Sequence, residues 1–158
     1  MLYFAYGSNM STARLVARAP SARLRGTATL RGYVLRFHKR GKDGTAKCDA
    51  FGTDGREDVV LGVLFDISDE ADWAALDRAE RGYRRDDVEV ECGGELERAA
   101  TYRALPDWID ANLLPSAKYR AYVAGGAREH GLPADYIANI EGHRIEGDAP
   151  RRSSSEST

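Results

Sequence analysis

Val59-Val60-Leu61-Gly62-Val63-Leu64-Phe65-Asp66-Ile67 is a nearly continuous apolar run, and Ser68-Asp69-Glu70 follows it at once. An apolar run of this length between turn signals predicts a strand. Ser68 suits a helix N-cap, and Asp69 and Glu70 suit the positive end of a helix dipole. The spacing beyond them predicts a helix to about Ala79 or Glu80. One helix therefore interrupts the chain directly after its longest strand.

Upstream of that run the pattern is mostly β. Residues 2–6 read as a strand entering a Gly7-Ser8-Asn9 turn, and a short helix is expected from Thr12 to Arg18, stopped by Pro20. Strand-like patches at Ala28-Thr29-Leu30 and Tyr33–Phe37 are broken by Gly26 and Gly32, as where bulges curve a sheet. A strand near Cys48–Phe51 reaches a turn at Gly52-Thr53-Asp54-Gly55. Downstream, residues 83–91 and 96–104 form a hairpin about Gly93-Gly94. After Pro106 the chain turns helical. Ser116 caps a helix ending near His130, with Gly131 after it, and Pro133 opens a last helix closing at Gly142. This order predicts an α+β single domain: a curved or closed, mainly antiparallel, barrel-like sheet with flanking helices. The domain is expected over residues 1–147, followed by a disordered tail at 148–158, where almost nothing can be buried.

At 158 residues one core can form without metal or disulfide. A net charge of -2, with acids and bases scattered, gives no case for nucleic acid or an anionic membrane. No run is long enough to span a bilayer, and the opening residues do not read as a secretory signal, so a cytoplasmic location is expected. Cys48 and Cys92 are expected to be reduced structural thiols, and His38, His130 and His143 lack ligand spacing, so no metal is expected. No Gly-x-Gly-x-x-Gly or Walker motif supports a nucleotide, so no cofactor is expected.

Two places could carry chemistry. Trp73, Leu76 and Glu80 fall at i, i+3 and i+7, one helix face, so Glu80 is carried inward at the C-terminal end. Burial and the negative end of the dipole would both raise its pKa. Asp77 lies near the same face, and periodicity does not choose between the two acids. Periodicity alone favours the alternative, a partly exposed terminal Glu80 paired with Arg78, Arg81, Arg84 or Arg85. The second place is Tyr6-Gly7-Ser8-Asn9-Met10, between a strand and a helix, where successive amides can bind an anion or simply start the helix.

Tyr3-Phe4-Ala5-Tyr6-Gly7-Ser8-Asn9-Met10 resembles the opening signature of the γ-glutamylcyclotransferase family. Leu76-Asp77-Arg78-Ala79-Glu80 resembles its Leu-Asp-x-x-Glu segment, and Pro115–Tyr119 and Gly131–Tyr136 continue the likeness in order. The resemblance implies an enzyme that converts a γ-glutamyl amino acid or amide to 5-oxoproline. It makes Glu80 the acid/base and Gly7, Ser8, Asn9 and Met10 the γ-glutamyl-binding backbone, with Tyr6, Tyr83, Tyr102 and Tyr119 around the pocket. For Tyr83, Tyr102 and Tyr119, core packing with a satisfied hydroxyl is the alternative. It implies a small-molecule γ-glutamyl substrate and a monomer or homodimer. Arg81 replaces the glycine that usually follows the family's glutamate, and the segment from Glu80 to Tyr83 is short; both lie at the pocket rim. A γ-glutamylamine or biosynthetic γ-glutamyl-acyl cyclotransferase, an amide hydrolase, and a non-catalytic binding module are the other readings.

Overall fold

In a computed structural model the described residues, 1–148, form β1 (Leu2–Ala5), α1 (Thr12–Arg18), β2 (Arg23–Arg31), β3 (Tyr33–Arg40), β4 (Ala46–Gly52) and β5 (Val59–Asp66). They continue with α2 (Glu70–Ala79), β6 (Tyr83–Cys92), β7 (Glu95–Ala104), α3 (Ala117–Glu129) and α4 (Ala134–Glu141). Short 3-10 turns occupy Ser8–Met10 and Pro106–Trp108; the helical signal after Pro106 thus stops at one turn. The expected tail lies outside the described residues from Ala149 onward.

The apolar run 59–67 supplies β5, flanked in the sheet by β1 and β2, both antiparallel to it. The sheet closes into a barrel in the order β1-β5-β2-β6-β7, sealed by a parallel contact of Tyr3 with Ala100. The fold is thus α+β with a closed barrel, as the sequence predicts. The register of β2 slips between Leu24 and Gly26, a bulge where a glycine interrupts the strand. After Gly32 the chain leaves the barrel, and β3 and β4 pair as a separate two-stranded sheet.

Phe4, Val60, Val63, Leu64 and Phe65 are wholly buried at the β1–β5 seam. Each such side chain stabilises the fold by about 1.5–3 kcal/mol relative to exposure. Trp73 and Leu76 turn the inner face of α2 onto this core, as their spacing requires. The N-cap of α2 is Asp69 rather than Ser68: its carboxylate accepts from Ala71 N at 2.9 Å. The reason is upstream, where Ile67 N donates to Met1 O at 2.9 Å, prolonging extended pairing and delaying the helix. Ser116 caps α3 as its sequence predicts, accepting from Tyr119 N at 3.1 Å.

Candidate active site

The site begins where β1 ends. Gly7 O accepts from Met10 N at 3.1 Å and Ser8 O from Ser11 N at 3.2 Å, closing a 3-10 turn. The first amides of a helical turn have no partner within it, and those of Gly7, Ser8 and Asn9 have none elsewhere among the described residues. Gly7 lies flat against β4; a Cβ there would stand 3.2 Å from the Cys48 Cβ and 3.5 Å from the Tyr119 hydroxyl. Beneath the turn, α3 presses so closely that a Cβ on Gly126 would come within 2.8 Å of Met10 Cβ and Ser11 N. Met10 is wholly buried there, and its carbonyl accepts from His130 Nε2 at 2.9 Å.

Opposite the turn, Glu80 caps α2 at its C-terminus with φ −91° and ψ 53°, outside helical geometry. That ψ turns the chain away from the helix, while Glu80 N still donates to Leu76 O at 2.8 Å; the residue keeps the helical phase and its carboxylate lines the cavity. Asn9 Nδ2 donates to Glu80 Oε1 at 2.9 Å and to the Tyr3 hydroxyl at 3.1 Å, while Arg18 approaches Glu80 at 3.9 Å. Burial raises the Glu80 pKa; Arg18, Lys39, the Asn9 hydrogen bond and Arg14 oppose that rise without cancelling it. Asp77 lies elsewhere. It accepts from the Tyr102 hydroxyl at 2.7 Å and pairs with Arg85 at 3.6 Å.

The inner cavity, about 40 Å³, is walled by the Gly7–Asn9 turn, Glu80, Cys48 and tyrosines 3, 6, 83, 102 and 119. Of the residues the sequence nominates, all line it except Met10, which anchors the turn from below. The four nominated tyrosines contribute ring surface, because their hydroxyls are engaged by the protein. Tyr6 donates to the Tyr102 carbonyl and Tyr102 to Asp77. Tyr83 donates to Cys48 O at 2.5 Å, and Tyr119 accepts from Cys48 N at 3.0 Å. Burial pushes the Cys48 thiol up to about 12, so it stays protonated and inert. Sequence reasoning missed Tyr3 and Cys48 as wall residues. Tyr3 stood inside the quoted signature, whereas nothing in the pattern distinguished Cys48 from a core thiol.

Ser8, Glu80, Tyr83 and Tyr119 also line an adjoining outer recess of about 250 Å³. Lys39 lies on its wall, its ammonium 4.4 Å from the Tyr83 ring centre and hydrogen-bonded to the Arg81 carbonyl, and burial lowers its pKa. Among the described residues no three His, Cys, Asp or Glu side chains are grouped to hold a metal, and no helix is long and apolar enough to cross a membrane.

A sequence model of the family described as "Gamma-glutamyl cyclotransferase, AIG2-like" matches residues 3–124, a span containing every wall residue above. The γ-glutamylcyclotransferase of Bos taurus is 30% identical over 140 residues, covering 85% of this chain and 74% of the bovine one. That of Homo sapiens is 30% identical over 145 residues, covering 89% and 77%. A solved structure titled "Gamma-glutamyl cyclotransferase" superposes with a TM-score of 0.83 at 26% identity, covering 98% of this chain and 94% of that one.

Proposed function

The chain belongs to the γ-glutamyl cyclotransferase, AIG2-like family, and on that premise we propose that it cyclises the γ-glutamyl group of a small amide to 5-oxoproline, with Glu80 as acid/base. One observation carries the reading. A buried carboxylate of raised pKa lines the same small cavity as a run of unpaired backbone amides.

The substrate's α-ammonium must lose a proton before its nitrogen can attack its own γ-carbonyl. Glu80 accepts that proton, and the new C–N bond closes a five-membered ring. Attack is intramolecular, so holding the folded conformer is much of the catalytic task. The ring walls of Tyr6, Tyr83, Tyr102 and Tyr119 restrict the bound chain to it. Charge gathers on the carbonyl oxygen, where the Gly7, Ser8 and Asn9 amides can donate. The original amide C–N bond then breaks as Glu80 returns its proton to the departing nitrogen; the ring nitrogen gives up its second surplus proton by way of the same carboxylate, and the amine leaves as an ammonium. The scheme uses no metal, nucleotide or covalent enzyme intermediate.

Glu80→Gln keeps shape and can still accept from Asn9, but cannot shuttle a proton. Its 5-oxoproline release from γ-glutamyl-alanine, glutathione and γ-glutamyl-lysine is expected to fall by ~10²–10⁴-fold. Asp77→Asn should retain most activity, since Asp77 serves Tyr102 from outside the cavity. Parental turnover by a folded Glu80→Gln variant would sink the assignment. Glutamate in place of 5-oxoproline would mark a hydrolase instead.

A further inference from the structure

The outer recess carries a charge pattern that the cyclisation itself does not require. Its wall includes Arg14, Arg18, Lys39, Lys42, Lys47 and Arg81 against the single carboxylate of Glu80. Some of this charge is already engaged. Lys39 stacks on Tyr83 and Trp108, Lys47 pairs with Asp43 at 3.4 Å, and Arg18 shares Glu80 at 3.9 Å. The rest is not. Among the described residues Lys42 and Arg81 form no ion pair, and the buried Nε of Arg14 has no hydrogen-bond partner while its guanidinium lies over Tyr122. A buried donor without a protein acceptor is costly, and an ordered water or an anion can supply the acceptor.

The two chambers also divide the substrate. The inner one is small, and its free donors are uncharged amides, which suits the γ-glutamyl carbonyl. The outer one is larger and shares Ser8, Glu80, Tyr83 and Tyr119 with it, so it has room for the departing group beside Glu80 and Arg81. We propose that this recess selects a leaving group bearing two negative charges, such as an acidic amino acid or an acidic peptide. The inference rests on the cyclotransferase reading above. One α-carboxylate would leave most of the wall uncompensated, whereas a second acidic group brings charge to the unpaired cations. The same field opposes amines and polyamines, so selection operates by repulsion as well as attraction. A phosphate on the leaving group presents about −1.5 to −2 of charge, more than a second carboxylate, at the same place.

The test is a set of matched pairs. γ-Glutamyl-aspartate is compared with γ-glutamyl-asparagine, and γ-glutamyl-phosphoserine with γ-glutamyl-serine, with γ-glutamyl-lysine as the cationic member. At low salt kcat/KM for 5-oxoproline release should favour the acidic member of at least one pair by ~10-fold or more. The larger ratio identifies carboxylate or phosphate as the preferred anion. The advantage should shrink in 0.5 M KCl, at an ionic strength where exposed charges are screened within about 3–10 Å. Lys42→Gln and Arg81→Gln should each cut the ratio severalfold. Equal turnover within both pairs, or γ-glutamyl-lysine processed as fast as the acidic compounds, overturns the proposal while leaving cyclisation intact. No 5-oxoproline from any compound overturns cyclisation instead. In that case the Kd values of the same pairs, measured by calorimetry on the parent protein, still decide whether the recess prefers anions.

Discussion

At the residue scale, Glu80 owes its position to helical phase, kept to the last hydrogen bond of α2. The spacing from Trp73 and Leu76 implies an inward glutamate, but it admits Asp77 equally. Glu80 N still donates to Leu76 O at 2.8 Å, so the glutamate keeps the phase of the helix and lines the cavity, while Asp77 is bonded to Tyr102 and Arg85. Periodicity does not choose between the acids because the partners that hold Asp77, Arg85 and Tyr102, come from β6 and β7; the family resemblance supplied the choice. The raised pKa has two measurable consequences. A general base must be ionised, so kcat/KM should fall on the acid side with an apparent pKa above the ~4.3 of an ordinary glutamate. That limb should vanish in the residual activity of Glu80→Gln. Stability follows with its own sign. The folded protein holds this proton more tightly than the unfolded chain, so Glu80 costs stability increasingly as pH rises from the ordinary glutamate pKa through the raised one. Glu80→Gln should therefore melt at a higher temperature than the parent at pH 8, with the gap closing below about pH 4. A thermal melt series that shows no pH-dependent gap would contradict burial as the cause.

At the element scale, the short Glu80–Tyr83 connection fixes the site. Tyr83 N donates to Glu80 O at 3.1 Å and Leu105 N to Gly82 O at 2.9 Å, tying the turn to the end of β7. Gly82 has φ +87°, and a Cβ there would stand 2.5 Å from Trp108 and 2.8 Å from Lys39 Cε. Both strain and collision oppose any side chain. Gly82→Ala should destabilise the fold by about 1–3 kcal/mol. It should also reduce kcat more than that loss of stability explains, because Glu80 and Tyr83 flank it. Denaturant titration beside 5-oxoproline kinetics measures both effects; an active variant of parental stability would show that the turn has slack. The sequence marked this connection as short and Arg81 as unusual. It could not reveal that Lys39, from the distant β3, occupies the space over the turn. For the same reason the cap of α2 was legible to within one residue, since the pairing that delays the helix involves Met1, far away in the chain.

At the scale of the whole molecule, the barrel was more legible than the way the site is closed. Apolar runs, glycine breaks and the Gly93-Gly94 hairpin each have local signatures, and they lead to a closed, mainly antiparallel sheet. Strands β3 and β4 have their own patches, but their separation into a second sheet has no local signature, because its placement against the barrel depends on contacts distant in sequence. Cys48 shows what that placement does. Its backbone N–H donates to Tyr119 on α3, and its carbonyl accepts from Tyr83 on β6. Two tyrosines thus clasp one residue of β4 from opposite parts of the fold, and the walls of the inner cavity are held by this clasp. Tyr119→Phe leaves a buried N–H unpaired, and Tyr83→Phe leaves a buried carbonyl unpaired; each should cost about 1–3 kcal/mol. The informative quantity is their interaction. If the two hydroxyls hold one rigid junction, releasing β4 from either side lets Cys48 relax, and the double variant should cost less than the sum by at least ~0.5 kcal/mol. Strict additivity in chemical denaturation would mean two independent hydrogen bonds. The β3–β4 sheet would then be held to the barrel by its apolar contacts, and the tyrosines would be needed chiefly for their rings.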